Sequence, residues 1–212
     1  MKSILFNTEM VRAILEGRKT VTRRVIKPHN PFRSDNYKQG RYGLWIDATT
    51  DNGDKCGHIK DYSVSPCWQP FSYYIKNCAP YQEGDILYVR ETWREYNGKY
   101  FFKANEPKEY DDYKTNPKWK PSIHMPKEAA RIFLKVTDVR VERLQDMKTV
   151  DFQKEGMQAN SIPDWWNIIE QKFRKLWDST VPKKDLDRYG WKANPWVWVI
   201  EFERTEKEGE EE

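Results

Sequence analysis

The sequence predicts an α+β fold: a small β-barrel with flanking helices and long irregular insertions. Short runs of β-branched and aromatic residues recur along the 212-residue chain, several segments have helical periodicity, and long polar stretches interrupt them. Only 38% of residues are hydrophobic, but 15% are aromatic, and each ring buries roughly 150–250 Å². We therefore expect one domain over residues 1–204, with insertions at 28–79 and 104–120 and an acidic disordered tail at 205–212.

Residue spacing near the N-terminus predicts the first strand and helix. A short apolar run favours a strand at residues 3–6, after which Asn7 or Thr8 caps a helix by accepting hydrogen bonds from first-turn N–H groups. Gly17 stands where a C′ glycine ends a helix. The helix is defined by an apolar stripe at helical spacing, which consists of Met10, Val11, Ile14 and Leu15.

The rest of the chain alternates between strands and helices. A short helix is expected at residues 149–155, ending at Gly156, and a longer one at 164–178, whose apolar residues share one face. Asn97-Gly98 is a hairpin turn signal before the strand predicted at residues 100–103. The strand predicted at residues 130–141 is expected to bend near Asp138. The first insertion is expected to hold two short strands. The remaining strands are predicted at residues 86–93, 100–103, 130–141 and 196–202.

Charge is distributed unevenly along the chain. Lys and Arg total 37 and Asp and Glu total 33, a formal net charge of +4, but residues 205–212 hold five Glu and one Lys. The preceding 204 residues therefore carry a formal charge of +8. A basic, aromatic-rich body is typical of nucleic-acid-binding proteins, so we expect RNA or a nucleotide as the partner. From charge alone, a contribution to solubility explains the same excess.

The sequence predicts neither a membrane segment nor a disulfide framework. No apolar run approaches the ~20 residues of a membrane span, and the N-terminus lacks signal-peptide features, so we expect a soluble, cytoplasmic protein without membrane partners. Cys56, Cys67 and Cys78 cannot all pair and would stay reduced there. A zinc site that includes His58 is the alternative, but only Cys56 and His58 are close in sequence. We favour free thiols and expect no metal and no cofactor.

The segment at residues 17–24 concentrates the groups that carry chemistry. In an extended chain, alternate side chains share a face, so Thr20, Thr22 and Arg24 are expected to lie together, with Lys19 in the preceding turn. Ammonium, guanidinium and hydroxyl groups suit a phosphate or a polarised carbonyl. A solvated basic loop is the alternative that spacing alone leaves open.

Residues 15–24, Leu-Glu-Gly-Arg-Lys-Thr-Val-Thr-Arg-Arg, resemble the signature of the ASCH family, which runs roughly G-x-K-x-x-T-x-R. The family belongs to the PUA-like superfamily, so the resemblance implies a PUA-like barrel. It covers most of residues 1–27 and 80–203 and includes segments similar to a larger phage- and prophage-associated branch. The further matching segments lie at residues 83–87, 89–93, 121–126 and 197–202.

The resemblance also implies a function. PUA-like proteins hold RNA or a single modified base against one barrel face, and small bacterial ASCH members include amidohydrolases that deacetylate N4-acetylcytidine. Their functional Lys, Thr and Glu correspond to Lys19, Thr22 and Glu155, since Glu155 precedes Met157 by the family's two positions. We assign these three residues to catalysis. Substrate or nucleic-acid binding is assigned to Arg18, Thr20, Arg23, Arg24, Arg90 and Glu91.

The expected chemistry is amide hydrolysis. Thr22 acts as the nucleophile or positions a water molecule, and Lys19 acts as the base if burial lowers its pKa from ~10.4 towards neutrality. Glu155 is expected to bind the substrate's amino group or a bridging water rather than to form a tight salt bridge with Lys19. The alternatives are a non-catalytic RNA-binding module, a ribonuclease, and a phage morphogenesis or host-interaction protein.

Overall fold

A computed structural model describes residues 1–26, 79–106, 118–158 and 165–206, together with the backbone of three short strands between residues 48 and 70. The helices are α1 (Thr8–Leu15), α2 (Thr149–Lys154), α3 (Trp165–Thr180) and α4 (Leu186–Tyr189). The strands are β1 (Lys2–Leu5), β2 (Val21–Val25), β3 (Ala48–Thr49), β4 (Lys55–His58), β5 (Trp68–Pro70), β6 (Ile86–Arg90), β7 (Trp93–Tyr96), β8 (Lys99–Phe102), β9 (Phe133–Arg143) and β10 (Trp196–Thr205).

A five-stranded sheet in the order β1-β6-β9-β10-β2 forms the centre of the molecule. β1 and β6 are parallel, and the other neighbours are antiparallel. The α+β prediction is confirmed, but the predicted barrel does not close in the described part of the chain. The register of β9 against β10 shifts between Glu201 and Phe202, which lie opposite Asp138 and Val136. That irregularity lies at the bend predicted near Asp138.

Side chains take the place of a hydrogen-bonded ladder between the sheet edges β1 and β2. Arg24 reaches across from β2 and donates through Nη2 to Leu5 O at 3.1 Å. Its guanidinium carbon lies 5.3 Å from the centroid of the Phe6 ring. Arg24 thus connects the two edges, although β1 and β2 do not pair.

Both faces of the sheet are covered. Successive side chains of β10 point to opposite faces. Residues 196–202 are apolar except for Glu201, as the sequence predicts, because both faces are buried there. One face packs against α1 and the other against α3. The first face receives Trp196, Trp198, Ile200 and Phe202, and the second receives Val197 and Val199.

The predicted helix boundaries are largely confirmed. Asn7 caps α1 by accepting a hydrogen bond from Met10 N at 2.9 Å, and Gly17 follows the helix with a φ of 74°. α2 ends before Gly156, whose φ is 91°. α3 ends two residues beyond the predicted helix at 164–178, whose start lies outside the described residues.

Two smaller sheets complete the described structure. The first insertion contains three short antiparallel strands, β3-β4-β5, where the sequence predicts two. The strand predicted at residues 86–93 is divided into β6 and β7, and between them the buried Glu91 pairs with Arg131. β7 and β8 then form a hairpin across the predicted turn, in which Asn97 and Gly98 have φ values of 50° and 71°.

Candidate functional site

A cavity of about 440 Å³ opens beside the edge strand β2, between the start of α1 and helix α3. Its lining combines polar and charged groups with apolar side chains. The polar and charged residues include Lys19, Thr22, Arg23, Arg24 and Glu155, and the apolar residues include Phe6, Met10, Phe173, Leu176 and Trp177.

A backbone bridge brings Lys19 and Glu155 together although 136 positions separate them in sequence. Lys19 Nζ donates to Glu155 Oε2 at 2.6 Å, to Val21 O at 2.7 Å and to Glu155 O at 3.0 Å. These acceptors match the three protons of an ammonium group. The expectation that Glu155 avoids a tight salt bridge with Lys19 is therefore wrong, because the turn after α2 places the carboxylate directly on the amine.

The absence of a side chain at Gly156 permits this close approach. A Cβ atom at this position would lie 2.8 Å from Ala13 Cβ and 3.2 Å from Lys19 Cβ. The positive φ of Gly156 is also a conformation that glycine adopts at little cost. Both features keep the turn after α2 packed against α1 and Lys19.

Burial lowers the pKa of Lys19 below its ordinary value of 10.5, although the Glu155 carboxylate acts in the opposite direction. Arg24 and Arg23 add smaller effects that also lower this pKa. Lys19 is only 3% exposed, so removal of water from its charged form has the larger effect. The direction is the one that a catalytic lysine base requires.

Thr22 and Arg24 share a face of β2, as their alternation predicts. Arg24 Nη1 donates to Thr22 Oγ1 at 2.7 Å, and Thr22 is 1% exposed. Burial lowers the pKa of Arg24, and the neighbouring Glu155 and Tyr81 act against this effect. A guanidinium against the hydroxyl oxygen stabilises negative charge there. Thr20, expected on the same face, precedes the strand and is exposed.

Arg23 lies on the opposite face of β2, surrounded by carboxylates. Its Nη1 is 3.3 Å from Glu155 Oε1, and its Nη2 is 3.4 Å from Glu142 Oε2 and 3.7 Å from Asp151 Oδ1. Arg23 Nε is buried without a hydrogen-bond partner in the structure as described. Arg23 thus links Glu155 to acidic residues outside the signature segment.

Four residues assigned to binding do not line this cavity within the described chain. Arg18 donates to Gly156 O at 2.7 Å and to Glu16 Oε2 at 2.6 Å, and Thr20 contributes backbone hydrogen bonds. Arg90 donates to two backbone carbonyl groups, and Glu91 forms an ion pair with Arg131. The structure brings Lys19, Thr22, Arg23, Arg24 and Glu155 together and leaves these four apart.

Sequence reasoning missed the wall that α3 and α4 contribute. Phe173 and Trp177 belong to the apolar stripe whose spacing indicates core packing, and both are buried beside the cavity. Tyr189 of α4 completes this wall. The stripe predicts which face of α3 is apolar, but the cavity exists only because that face passes the edge of β2.

The described side chains include no group of three His, Cys, Asp or Glu residues arranged to hold a metal ion. The cysteines and His58 lie outside the described side chains, so the choice between zinc and free thiols stays a prediction. Within the described segments, no helix is long and apolar enough to cross a membrane. No protein-family model, curated protein or solved structure matches the chain.

Proposed function

We propose that this protein is an ASCH-type, PUA-like amidohydrolase that removes the acyl group from N4-acylated cytosine nucleosides. The proposal depends mainly on one observation: the three residues assigned to catalysis from sequence, Lys19, Thr22 and Glu155, are all buried and line one cavity. They come from two segments far apart in the chain. Convergence in one cleft is what an active site requires, and a solvated basic loop would not produce it.

The cavity favours a small ligand over a polynucleotide chain. Its volume of about 440 Å³ lies within the ~300–1,000 Å³ typical of small-molecule sites. Phe173 and Trp177 offer apolar surface to a planar base. The cations of Lys19 and Arg23 are buried against carboxylates and are not presented to solvent as a phosphate-binding strip. A nucleoside fits these properties better than RNA bound along the signature segment.

The proton on Lys19 has to move before Lys19 can act as a base, since its resting ammonium group is fully hydrogen-bonded. Glu155 Oε2, at 2.6 Å, is close enough to receive that proton. The transfer converts a buried ion pair into a neutral amine and a carboxylic acid, a change that a dry environment favours. The lowered pKa of Lys19 is consistent with this step.

The neutral amine of Lys19 then accepts the hydroxyl proton of Thr22, and Thr22 Oγ1 forms a bond to the acyl carbon. Arg24 stabilises negative charge on Thr22 Oγ1 before the attack. The carbon–nitrogen bond breaks, the departing amino group takes the proton from Lys19, and cytidine leaves. Water then hydrolyses the acyl–Thr22 ester, so amide and water yield amine and carboxylic acid.

The test is to incubate purified protein with N4-acetylcytidine and to measure the release of cytidine by chromatography. The wild-type protein should release cytidine. Thr22→Val, which removes the hydroxyl at nearly constant volume, should lower kcat/KM by at least about 10³-fold, since removal of a nucleophile leaves only binding and charge stabilisation.

Thr22→Ser is the matched control because it keeps a hydroxyl at the same position. It should keep measurable turnover and melt close to the wild type. Thr22→Val leaves a partly buried donor of Arg24 without its Thr22 acceptor, which should cost about 1–3 kcal/mol, so turnover is compared at a temperature at which both variants are folded. Absence of cytidine release by the wild type across a pH series would overturn the proposed substrate. Equal turnover by Thr22→Val and Thr22→Ser would overturn the role of the hydroxyl.

A further inference from the structure

The β7–β8 hairpin carries aromatic and basic side chains on a surface separate from the cavity. Its register pairs Arg94 with Phe101 and Tyr96 with Lys99, and directly paired residues project to the same face of an antiparallel sheet. Tyr96 is 47% exposed and Phe101 is 40% exposed. We call the face formed by Arg94, Tyr96, Lys99 and Phe101 the platform face.

A third segment extends the platform face. Lys120 N donates to Trp93 O at 2.7 Å, and Trp93 N donates to Lys120 O at 3.2 Å, which forms an antiparallel bridge beside β7. This bridge places Trp119 beside Arg94, whose guanidinium carbon lies 4.2 Å from the Trp119 ring centroid. The same carbon lies 6.0 Å from the Phe101 ring centroid. Trp119, Arg94 and Phe101 therefore form a row across the three segments.

The described surroundings of the platform face are basic. Glu106 forms a 2.6 Å ion pair with Arg94, so its charge is compensated within the protein. Lys103 Nζ lies 5.9 Å from the Trp119 ring centroid, and Lys99 of the platform face is exposed. Exposed rings are thus interspersed with ammonium groups on the same side of the hairpin.

We propose that the platform face binds a single-stranded polynucleotide. Tyr96 and Phe101 are diagonal neighbours, which places them about 7–8 Å apart, so each ring can stack on a different base. Lys99 and Lys103 then neutralise phosphates of the same strand. The cores of protein–protein interfaces are depleted of lysine, so this composition fits a polynucleotide better than a protein partner.

This inference does not depend on the proposed hydrolase activity, because none of the platform residues named above lines the cavity. The test measures fluorescence anisotropy of a short labelled oligouridylate, and of an oligothymidylate of equal length, titrated with the full chain. Binding should weaken steeply as salt rises. Tyr96→Ala and Phe101→Ala should each weaken it by about 5- to 100-fold, and Tyr96→Phe should preserve it.

Tyr100→Ala is the matched control, since Tyr100 is a similarly exposed aromatic residue on the opposite face of the hairpin. It should change affinity less than about twofold, and Thr22→Val in the cavity should also leave affinity unchanged. If the oligouridylate and the oligothymidylate bind with equal affinity, the platform face contacts only bases and phosphates. If the oligouridylate binds more tightly, the platform face also contacts the 2′-hydroxyl group. Absence of binding at low salt, equally tight binding of a duplex, or equal losses in Tyr100→Ala and Phe101→Ala would overturn the proposal.

Discussion

Two glutamates are buried among the described residues, and the protein holds them differently. Glu91 is 1% exposed, and its two carboxylate oxygens accept hydrogen bonds from one guanidinium group, from Arg131 Nε at 2.9 Å and from Arg131 Nη2 at 3.0 Å. Glu155, at 4% exposure, receives Lys19 at 2.6 Å on one oxygen and Arg23 at 3.3 Å on the other. Glu91 lies away from the cavity, and Glu155 lines it.

In the proposed mechanism, this difference separates a structural ion pair from one that takes part in catalysis. A bidentate arginine fixes the position of the Glu91 carboxylate, and arginine does not release a proton in proteins. The partner of Glu155 is a lysine, whose pKa burial lowers and whose proton lies within transfer distance. Burial of a carboxylate is therefore not itself a sign of function. Two features distinguish Glu155 from Glu91: its partner is a lysine that can transfer a proton, and its side chain lines the cavity.

The largest expected effect on stability is that of Glu155→Gln. The change removes the carboxylate that pairs with Lys19, whose side chain is 1% exposed, and one of the three carboxylates around Arg23, whose side chain is 0% exposed. We therefore expect a loss of about 3–5 kcal/mol in the free energy of unfolding. Glu91→Gln leaves Arg131, which is 27% exposed and reaches solvent, so the loss should be about 1–3 kcal/mol. Urea unfolding of both variants measures this ranking, and the reverse ranking would contradict it.

The second effect concerns how the pair at Glu155 is assembled. Gly156→Ala should cost about 1–3 kcal/mol for the contact with Ala13. The positive φ should add about 1–2 kcal/mol. Gly84→Ala is the matched control, because Gly84 has a φ of 85° but open space where a Cβ atom would lie. Gly84→Ala should lose only the stability that the positive φ costs. Equal losses of stability in thermal melts of Gly84→Ala and Gly156→Ala would show that the turn at Gly156 is not closely packed.

The third effect is a dependence of stability on pH. Because the pKa of Lys19 is lower in the folded than in the unfolded protein, the unfolded state binds more protons between the folded value and 10.5. The Lys19 contribution to stability should therefore rise with pH in that window. We therefore expect the free energy of unfolding of the wild type, relative to that of Lys19→Met, to increase between about pH 7 and pH 9.5, as measured by urea unfolding. A constant difference would contradict the lowered pKa.

The smallest effect is expected at the outer end of the same charge network. Arg140 contacts Asp138 at 2.7 Å and Glu142 at 2.6 Å, and Glu142 in turn faces Arg23. The Arg140 side chain is 32% exposed, so Arg140→Gln should cost about 0.2–1 kcal/mol. If Arg140→Gln lost as much stability in a thermal melt as Glu155→Gln, the exposed Arg140 would contribute as much to the network as the buried Glu155, which would contradict this ranking.

The local elements could be predicted because their signals are local. Asn7 and Gly17 delimit α1, Gly156 follows α2, and Asn97-Gly98 forms the hairpin turn where the sequence places it. Closure of the sheet could not be predicted in this way. Closure depends on whether β1 and β2 pair, and these strands and the Arg24 contacts with Leu5 and Phe6 that connect them come from different parts of the chain.

The candidate site was predictable in part. The family resemblance points to Lys19 and Thr22 in the signature segment and to Glu155 in a separate segment. The alternation of an extended strand places Thr22 beside Arg24. The contact between Lys19 and Glu155 depends on how closely the turn after α2 approaches, which spacing does not reveal. Assignment of Glu91 to binding rests on its sequence neighbours, whereas its partner, Arg131, is 40 positions away.

The most direct test of the central claim compares N4-acetylcytidine turnover by Glu155→Gln and Glu91→Gln. Both variants remove one buried negative charge at nearly constant volume, and thermal melts select a temperature at which both are folded. The account predicts a loss of at least about 10²-fold in kcat/KM for Glu155→Gln and less than about threefold for Glu91→Gln. Equal turnover by the two variants, or a larger loss in Glu91→Gln, would contradict it.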